Sequence, residues 1–482
     1  MRVSDQSHLK RTSRTKTVLP VLATLFALMI STIVTSPVRA VAVDTWPQFE
    51  DGSGHRLANA TGFVQVDPGF EQVIPEWFKY GIVAFDRAQL HNHSGYARDS
   101  FLVDGAIFSN GDLSIGYALR VVDRVVATGT VHISRYANVD RDVFANVVQN
   151  YGTINGPVKL LAAVKDVPRD AQNWDLTDNL GNKHRWHNDS REPGAYDGPG
   201  EIAEEPTEYS IQDGERFADS IFEPDGTPLE NPDLNVVHYV APPVLDYVAM
   251  KIEAERNENT YFTSQAQAIS YLIAHKVSET VDGEEITTIR VGSMESPEFL
   301  YIDDDFDLEL AREGDDDVIE GVINADAFHL EGGIYVSGTF DFRPSDAPTG
   351  ADIADHYALR INALPYCYPA LITYPQPCGI GCRFDRYWQP RDTPMITGNY
   401  STARFRGGNP AGPKSALLNG VIYASGEIHM HATHDEAQAI DVNGALLAFK
   451  IHVCDYFQLR HEKAIACTRF LTPRAESARG AR

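Results

Sequence analysis

The residues best suited to chemistry lie near the end of this 482-residue chain. His429, His431, His434 and Asp435 follow one another closely, and imidazoles two apart on a strand project from one face, where they can share a divalent metal. Asp435 or Glu436 is the natural carboxylate partner. Alternation along the strand turns Ile428 and Met430 inward, so His429 and His431 are expected to face outward with Tyr423 and Glu427. The plainer reading is an exposed histidine ladder on a solvated face.

A second set of candidates is acidic. Asp303, Asp304, Asp305 and Asp307, followed by Asp315, Asp316 and Asp317, offer the oxygens that Ca2+ or another divalent metal takes, with Asp303 and Asp305 the favoured ligands. Neither run has the Asp-x-Asp-x-Asp-Gly order of a calcium loop, and acidic runs are usually solvated turns. Asn138, Asp140 and Asp142 alternate in the same way but lack the following Gly. Paired carboxylates can also serve glycoside hydrolysis, or polysaccharide lysis with Ca2+ and an Arg. No Gly-x-Ser-x-Gly elbow, phosphate loop, dinucleotide fingerprint or catalytic cysteine context is present. No catalytic or cofactor-binding residue is therefore assigned. Trp174, Trp186, Tyr387 and Trp388 fall in loops, where aromatics stack on sugars or partners, or pack back on their own scaffold.

What must position these residues is a recurring short pattern. Gly105, Ile107, Phe108, Asn110, Gly111, Leu113 and Ile115 align without gaps with Gly332, Ile334, Tyr335, Ser337, Gly338, Phe340 and Phe342. They align equally with Gly420, Ile422, Tyr423, Ser425, Gly426, Ile428 and Met430, and loosely with Asp123, Val125, Val126, Thr128, Gly129, Val131 and Ile133. The pattern reads as two short strands joined at a corner, with the second Gly expected to take the positive φ that a bend demands. A strand pair of this kind buries its apolar face only by stacking on copies of itself, which predicts a mainly β parallel solenoid. Ordinary hairpins of a sandwich or barrel are the alternative. Imperfect rungs are expected at Gly152 to Leu160, Gly321 to Leu330 and Gly444 to Val453. Their irregular spacing implies that long loops leave the rungs, or that two separated stretches build the solenoid.

Charge and composition set the compartment. With 41 Lys+Arg against 67 Asp+Glu the formal charge is −26, which disfavours nucleic acid and anionic lipid as partners. Lys10, Arg11, Arg14 and Lys16 precede an apolar run from Val18 to Ile30, and Ala40 and Ala42 are small residues suited to a signal peptidase. Residues 1–42 are read as a signal peptide or an uncleaved N-terminal membrane anchor, the only expected membrane contact. Either way the body is exported, to periplasm, cell surface or medium. The five cysteines, Cys367, Cys378, Cys382, Cys454 and Cys467, lie in the last quarter, where disulfides are expected with one thiol left over. Cys378 and Cys382 are alternatively half of a metal site.

The expected organisation follows. Residues 43–167 hold the first rungs, 168–236 an acidic Gly/Pro-rich insertion, and 237–300 a helical insertion. Residues 301–343 hold central rungs, 344–415 a cysteine-containing excursion, 416–455 late rungs and 456–482 a tail. Helices are predicted over Val244 to Arg256, with an apolar stripe of Val244, Tyr247, Val248 and Ile252, and over Ser264 to Lys276.

The segment from Phe101 to Ile115 resembles the opening rung of exported bacterial envelope proteins associated with type IV pilus assembly. The order of early rungs, a helix after Pro243, and late Gly-x-Ile-Tyr-x-Ser-Gly rungs is similar as well, over about residues 90–165 and 240–455. That resemblance implies a right-handed parallel β-helix with a structural or adhesive, pilus-associated role and no established catalytic centre. Its partners would be envelope or pilus proteins, with polysaccharide a further candidate. The 168–236 insertion, the cysteine-bearing loop and the lack of a prepilin cleavage site depart from that pattern. A secreted β-helix polysaccharide lyase or glycoside hydrolase is the alternative function.

Overall fold

Short runs of alternating apolar residues, each too small to bury a face alone, find their partners in equivalent runs elsewhere in the chain. The computed structural model describes residues 75–91, 101–161, 236–256, 260–281, 284–311, 322–344, 357–374, 402–406, 414–431, 439–454 and 456–472, with a few two- and three-residue strands outside these ranges. By contacts the chain forms two units, residues 1–47 with 59–72, and residues 48–58 with 73–482. In the first, Val41–Ala42 pairs antiparallel with Phe63–Val64. Everything below concerns the second.

The protein is mainly β and β-helix-like. One of its parallel sheets has eleven strands. Its order of pairing is Tyr261–Phe262, Glu298–Ile302, the second half of Ala327–Val336, Pro369–Thr373, the middle of Lys414–His431 and the middle of Ile440–Cys454. It continues with Ile82–His91, Ile107–Ser109, Val125–Ala127, Val143–Ala145 and Val158–Leu160. Ile334, Leu371, Ile422, Leu446, Ile82 and Ile107 lie in one in-register row, and each is 0% exposed. The gapless alignment of the repeats is therefore the pairing register itself, and it also holds where Val125 sits on Ile107 and Val131 on Leu113.

Two further parallel sheets complete each coil. The sheet preceding the glycine corner runs through Glu284–Val291, Ala327–Val336, Tyr357–Asn362, Lys414–His431, Ile440–Cys454, Phe457–Arg460, Phe101–Asp104 and Arg120–Val121. The sheet following the corner runs through Phe306–Ala311, Phe340–Arg343, Thr402–Arg406, the last part of Lys414–His431, Ile440–Cys454, Ile82–His91, Leu113–Ile115 and Thr130–Ile133. Phe340, Phe342, Ile428, Met430, Leu113, Ile115, Val131 and Ile133 are all buried, as alternation requires.

Stacking order differs from chain order. Two stretches of sequence meet in one composite coil, with Phe457–Arg460 forming its first side and Ile82–His91 the other two. Leu446 N–H donates to Gly81 O at 2.8 Å, His461 N–H to Asp104 O at 2.8 Å, and His461 Nε2 lies 3.0 Å from Phe78 O. A Cβ on Gly105 would come within 2.6 Å of His461 Cβ and one on Gly81 within 2.6 Å of the end of the Leu459 side chain, so the seam is packed tightly against both glycines.

The corner glycines divide their work differently from expectation. Positive φ falls on the first Gly in two of the copies, Gly332 at 148° and Gly420 at 139°, but not on Gly105 and not on the second Gly of any of them. The backbone turns between the first two sheets there, and a Cβ on Gly332 would collide with Glu298 O. The second Gly makes room for a carboxylate from the neighbouring coil. Asp112 Oδ1 accepts Thr130 N–H at 2.6 Å beside Gly129, and Asp305 Oδ1 accepts Thr339 N–H at 2.6 Å beside Gly338. Burial pushes the Asp112 carboxyl up to about 6 despite this hydrogen bond and the nearby Arg87 charge. An amide ladder braces the first corner. Asn443 donates to Asn419 at 2.8 Å, Asn419 to Asn362 at 3.5 Å, and Asn362 to Glu331 at 2.8 Å.

Other expectations are corrected by the register. Within 344–415, Tyr357–Asn362, Pro369–Thr373 and Thr402–Arg406 form a full coil that has neither pattern glycine, which is why it read as an excursion. Among the described residues of 237–300, Tyr247–Arg256 and Gln265–Ala274 are helical, while Glu284–Val291 and Glu298–Ile302 are coil strands. The 456–482 tail supplies Phe457–Arg460 to the stack, and Cys467 forms a disulfide with Cys367. Near Gly152, Ile154 sits one side earlier than the alignment implied, on Val139, and Val158 takes the Ile107-type position on Val143. Cys454 is buried and is outside that disulfide. The long insertion is described only in part, and residues 1–40, Cys378 and Cys382 lie outside the described residues.

The first helix buries a different face from the one predicted. Asp246 Oδ1 accepts Ala249 N–H at 2.9 Å to start it, Met250 and Ala254 are buried, and Val244, Val248 and Ile252 are exposed. Tyr247 leans on Tyr335 and Tyr374, closing a tyrosine layer over the outside of the eleven-stranded sheet. Tyr423 belongs to this layer and is 2% exposed, not turned outward with the histidines. Further along, Asn110 accepts Val240 N–H at 3.1 Å and donates to Val240 O at 2.7 Å, fastening the returning chain.

Gly332→Ala should lower the unfolding free energy by about 2–3 kcal/mol, the sum of positive-φ strain and the collision at Glu298, measured by chemical denaturation. A pKa raised in the fold means Asp112 contributes stability that is complete below its unfolded value near 4 and is lost as pH rises through about 6. Asp112→Asn should therefore gain stability relative to the parent across that window, by at most about 3 kcal/mol, in melting curves taken from pH 4 to 7.

Candidate functional site

The outside of the third sheet is where ionisable residues collect. Parallel, in-register pairing sets the outward residues of successive coils side by side, about 4.8 Å apart, so each outward position becomes a row across the stack. One row reads Glu427, Lys450; the next Asp307, Asp341, Arg404, His429, His452, Gln89; the third Glu309, Arg343, Arg406, His431, Cys454, His91.

At one end of these rows lies an ion cluster. Asp341, with its side chain 7% exposed, accepts from Arg406 Nη2 at 2.6 Å and Nε at 3.0 Å, and lies 3.5 Å from Arg404 and 3.7 Å from Arg343. Burial, followed by the charges of Asp341 and Asp305, raises the neighbouring Asp307 carboxyl. Arg343 reaches Glu309 at 3.4 Å.

At the other end lie imidazoles. The rings of His429 and His452 are 4.7 Å apart, those of His91 and His452 5.5 Å, and those of His429 and His431 6.4 Å. His429 Nδ1 is 3.8 Å from Glu427 Oε1, and Cys454 Sγ is 3.1 Å from His452 Nε2. Glu427, His429 and His452 each place a ligand atom within 4.8 Å of the other two. Burial, reinforced by Arg404, His431 and Arg406, lowers His429 to about 4, so its ring is neutral near pH 7. Burial raises the Glu427 carboxyl, against the pull of Lys450, Arg404 and Arg87.

Of the residues singled out in the sequence, His429 and His431 share this face as expected. His434, Asp435 and Glu436 lie outside the described residues, as do Asp315 to Asp317 and the loop aromatics Trp174, Trp186, Tyr387 and Trp388. Asp303 and Asp305 do not join the histidines. The strand after Asp305 is three strand spacings from His429, about 14 Å at the usual separation. Asp303 accepts from the Tyr261 hydroxyl at 3.4 Å, Asp304 from Gln265 N–H at the start of the second helix at 3.0 Å and Asp305 from Thr339, so all three are engaged within the fold.

His452, Cys454 and His91 escaped the sequence reading for a geometric reason. Gapless alignment of the Gly420 and Gly444 copies sets His429 against Val453. In the fold, a one-residue irregularity between Ala424 and Glu427 shifts the register and brings His429 onto His452. An alignment allowing one extra residue at the Ser425–Gly426 corner would have found the pair.

Asp341→Ala should lower the unfolding free energy by about 1–2 kcal/mol, because it removes the shared partner of three guanidinia that water still reaches, and Asp341→Asn should cost less; urea denaturation measures both. Among the described residues no helix is long and apolar enough to cross a membrane. Neither a protein-family model, a curated protein nor a solved structure matches the chain.

Proposed function

We propose that this chain is an exported right-handed parallel β-helix with a structural or adhesive role in a cell envelope, akin to the β-helix proteins associated with type IV pilus assembly. The observation that carries the reading is the stack of parallel coils, with five of its described aspartates acting as braces. Asp112, Asp303, Asp304, Asp305 and Asp341 each hold a corner, a helix start or an arginine cluster, as a load-bearing tube requires. A solenoid of this kind presents long polar rows to partners without needing a cleft.

Export is supported by the basic and apolar order of residues 1–42 and by the Cys367–Cys467 disulfide, a bond that persists in oxidising compartments. Envelope or pilus proteins are the proposed partners, with polysaccharide as a further ligand of the polar rows. The alternative, polysaccharide cleavage on a β-helix, needs carboxylates converging on one groove. The described aspartates at 303–305 and the histidines sit apart, so that reading draws no support from them.

The test is fractionation of bacteria expressing the full chain with a C-terminal epitope. The tag should appear in the periplasm, at the surface or in the medium, and should stay in the cytosol when residues 1–42 are deleted. Cytosolic retention of the full chain would sink the proposal.

A further inference from the structure

The outward rows of the third sheet place, on neighbouring coils, the donor types that first-row transition metals prefer. Three consecutive coils form a grid of Glu427, Lys450 and Arg87, then His429, His452 and Gln89, then His431, Cys454 and His91. Four imidazoles and a thiol within nine positions are far from the solvated acid surface expected of a chain carrying −26. We propose that Glu427, His429 and His452 form a binding site for one divalent transition metal of the Zn2+ type, clipping the coil of Lys414–His431 to the coil of Ile440–Cys454.

Several features of the geometry favour it. Register pairs His429 with His452 on adjacent strands, so the two nitrogens come from a rigid scaffold, while Glu427 shares the outward face two residues before His429. The three ligand atoms lie within 4.8 Å of one another. Tetrahedral coordination at about 2.0–2.2 Å needs them about 3.3–3.6 Å apart, a closure of at most about 1.5 Å that side-chain rotation supplies. Next, two imidazoles and one carboxylate are a zinc donor set that leaves a fourth position for water, and the side chains of His429 and Glu427 remain 29% and 36% exposed, so solvent reaches that position. Cys454 stands behind, its sulfur 3.1 Å from His452 Nε2, where it orients the ring as a supporting group and not as a ligand. Of the nearby cations that would repel a metal, Arg404 and Arg406 are tied to Asp341, while Lys450 and Arg87 stand in the row of Glu427, whose carboxylate opposes their charge.

This site is independent of the envelope role, and its test needs only purified protein. The full chain is freed of metal with EDTA and titrated with Zn2+ by calorimetry and with Co2+ by absorption. One equivalent should bind, the melting temperature should rise with free Zn2+, and the Co2+ form should show d–d bands without a thiolate charge-transfer band. His429→Ala and His452→Ala should each weaken binding at least about 10-fold while melting as the parent does in EDTA, and Glu427→Gln should weaken it as well. His434→Ala and the Cys378→Ser, Cys382→Ser double variant should bind as the parent does. Should the histidine variants misfold, X-ray absorption of the parent Zn2+ form reads the same donor set directly, as two imidazoles with oxygen and no sulfur. Absence of stoichiometric binding, binding unchanged in His452→Ala, binding lost in His434→Ala or in the cysteine double variant, or a sulfur ligand in either spectrum would each overturn the proposal.

Discussion

Parallel, in-register stacking of coils that cannot bury their own apolar faces is the interaction on which everything else here depends. Each short strand has two or three inward residues, far too few to hold a structure, and gains a core only from the coils on either side. The composite coil shows how far this goes. Phe457–Arg460 and Ile82–His91, from opposite ends of the chain, complete one turn because both present the same inward spacing to the same neighbours. The glycines at 81 and 105 and the hydrogen bonds of His461 hold that seam closed.

The same stacking sorts the outer surfaces. Over the eleven-stranded sheet, Tyr301, Tyr335, Tyr423 and Tyr247 with Met250 make a dry layer under the first helix and the returning chain. Over the third sheet no such cover is described, and the outward rows hold Asp, Arg, His and Cys. Because like positions repeat every strand spacing, a single ionisable residue per coil is enough to build a row, and the row acquires properties none of its members has alone. Three arginines gathered on Asp341 and neighbouring imidazoles at His429 and His452 are both products of that repetition.

Much of this was legible beforehand. The pattern around Ile107, Ile334 and Ile422 carried the pairing register, because a corner glycine and the alternation after it leave a fixed-length signature. The coil at Tyr357 to Arg406 was not legible, since it turns its corners without those glycines and contains Pro369 in a strand. The helix after Pro243 was expected from Val244 and begins at Tyr247, with Val244–Leu245 a short strand, and its buried face was not foreseen. Val248 and Ile252 make an apolar stripe by spacing, whereas packing against the tyrosine layer chose Met250 and Ala254.

From the sequence alone came the alternation within each strand, the existence of the repeated coil, the acidic balance and the pairing of His429 with His431 on one outward face, because these depend on residues within a few positions of each other. The order of the coils, the joining of residues 82–91 to 457–460, the corner that carries the positive φ and the meeting of His429 with His452 were decided by tertiary structure. They depend on which distant strands stack and on a one-residue irregularity in register, and neither leaves a mark in the local sequence.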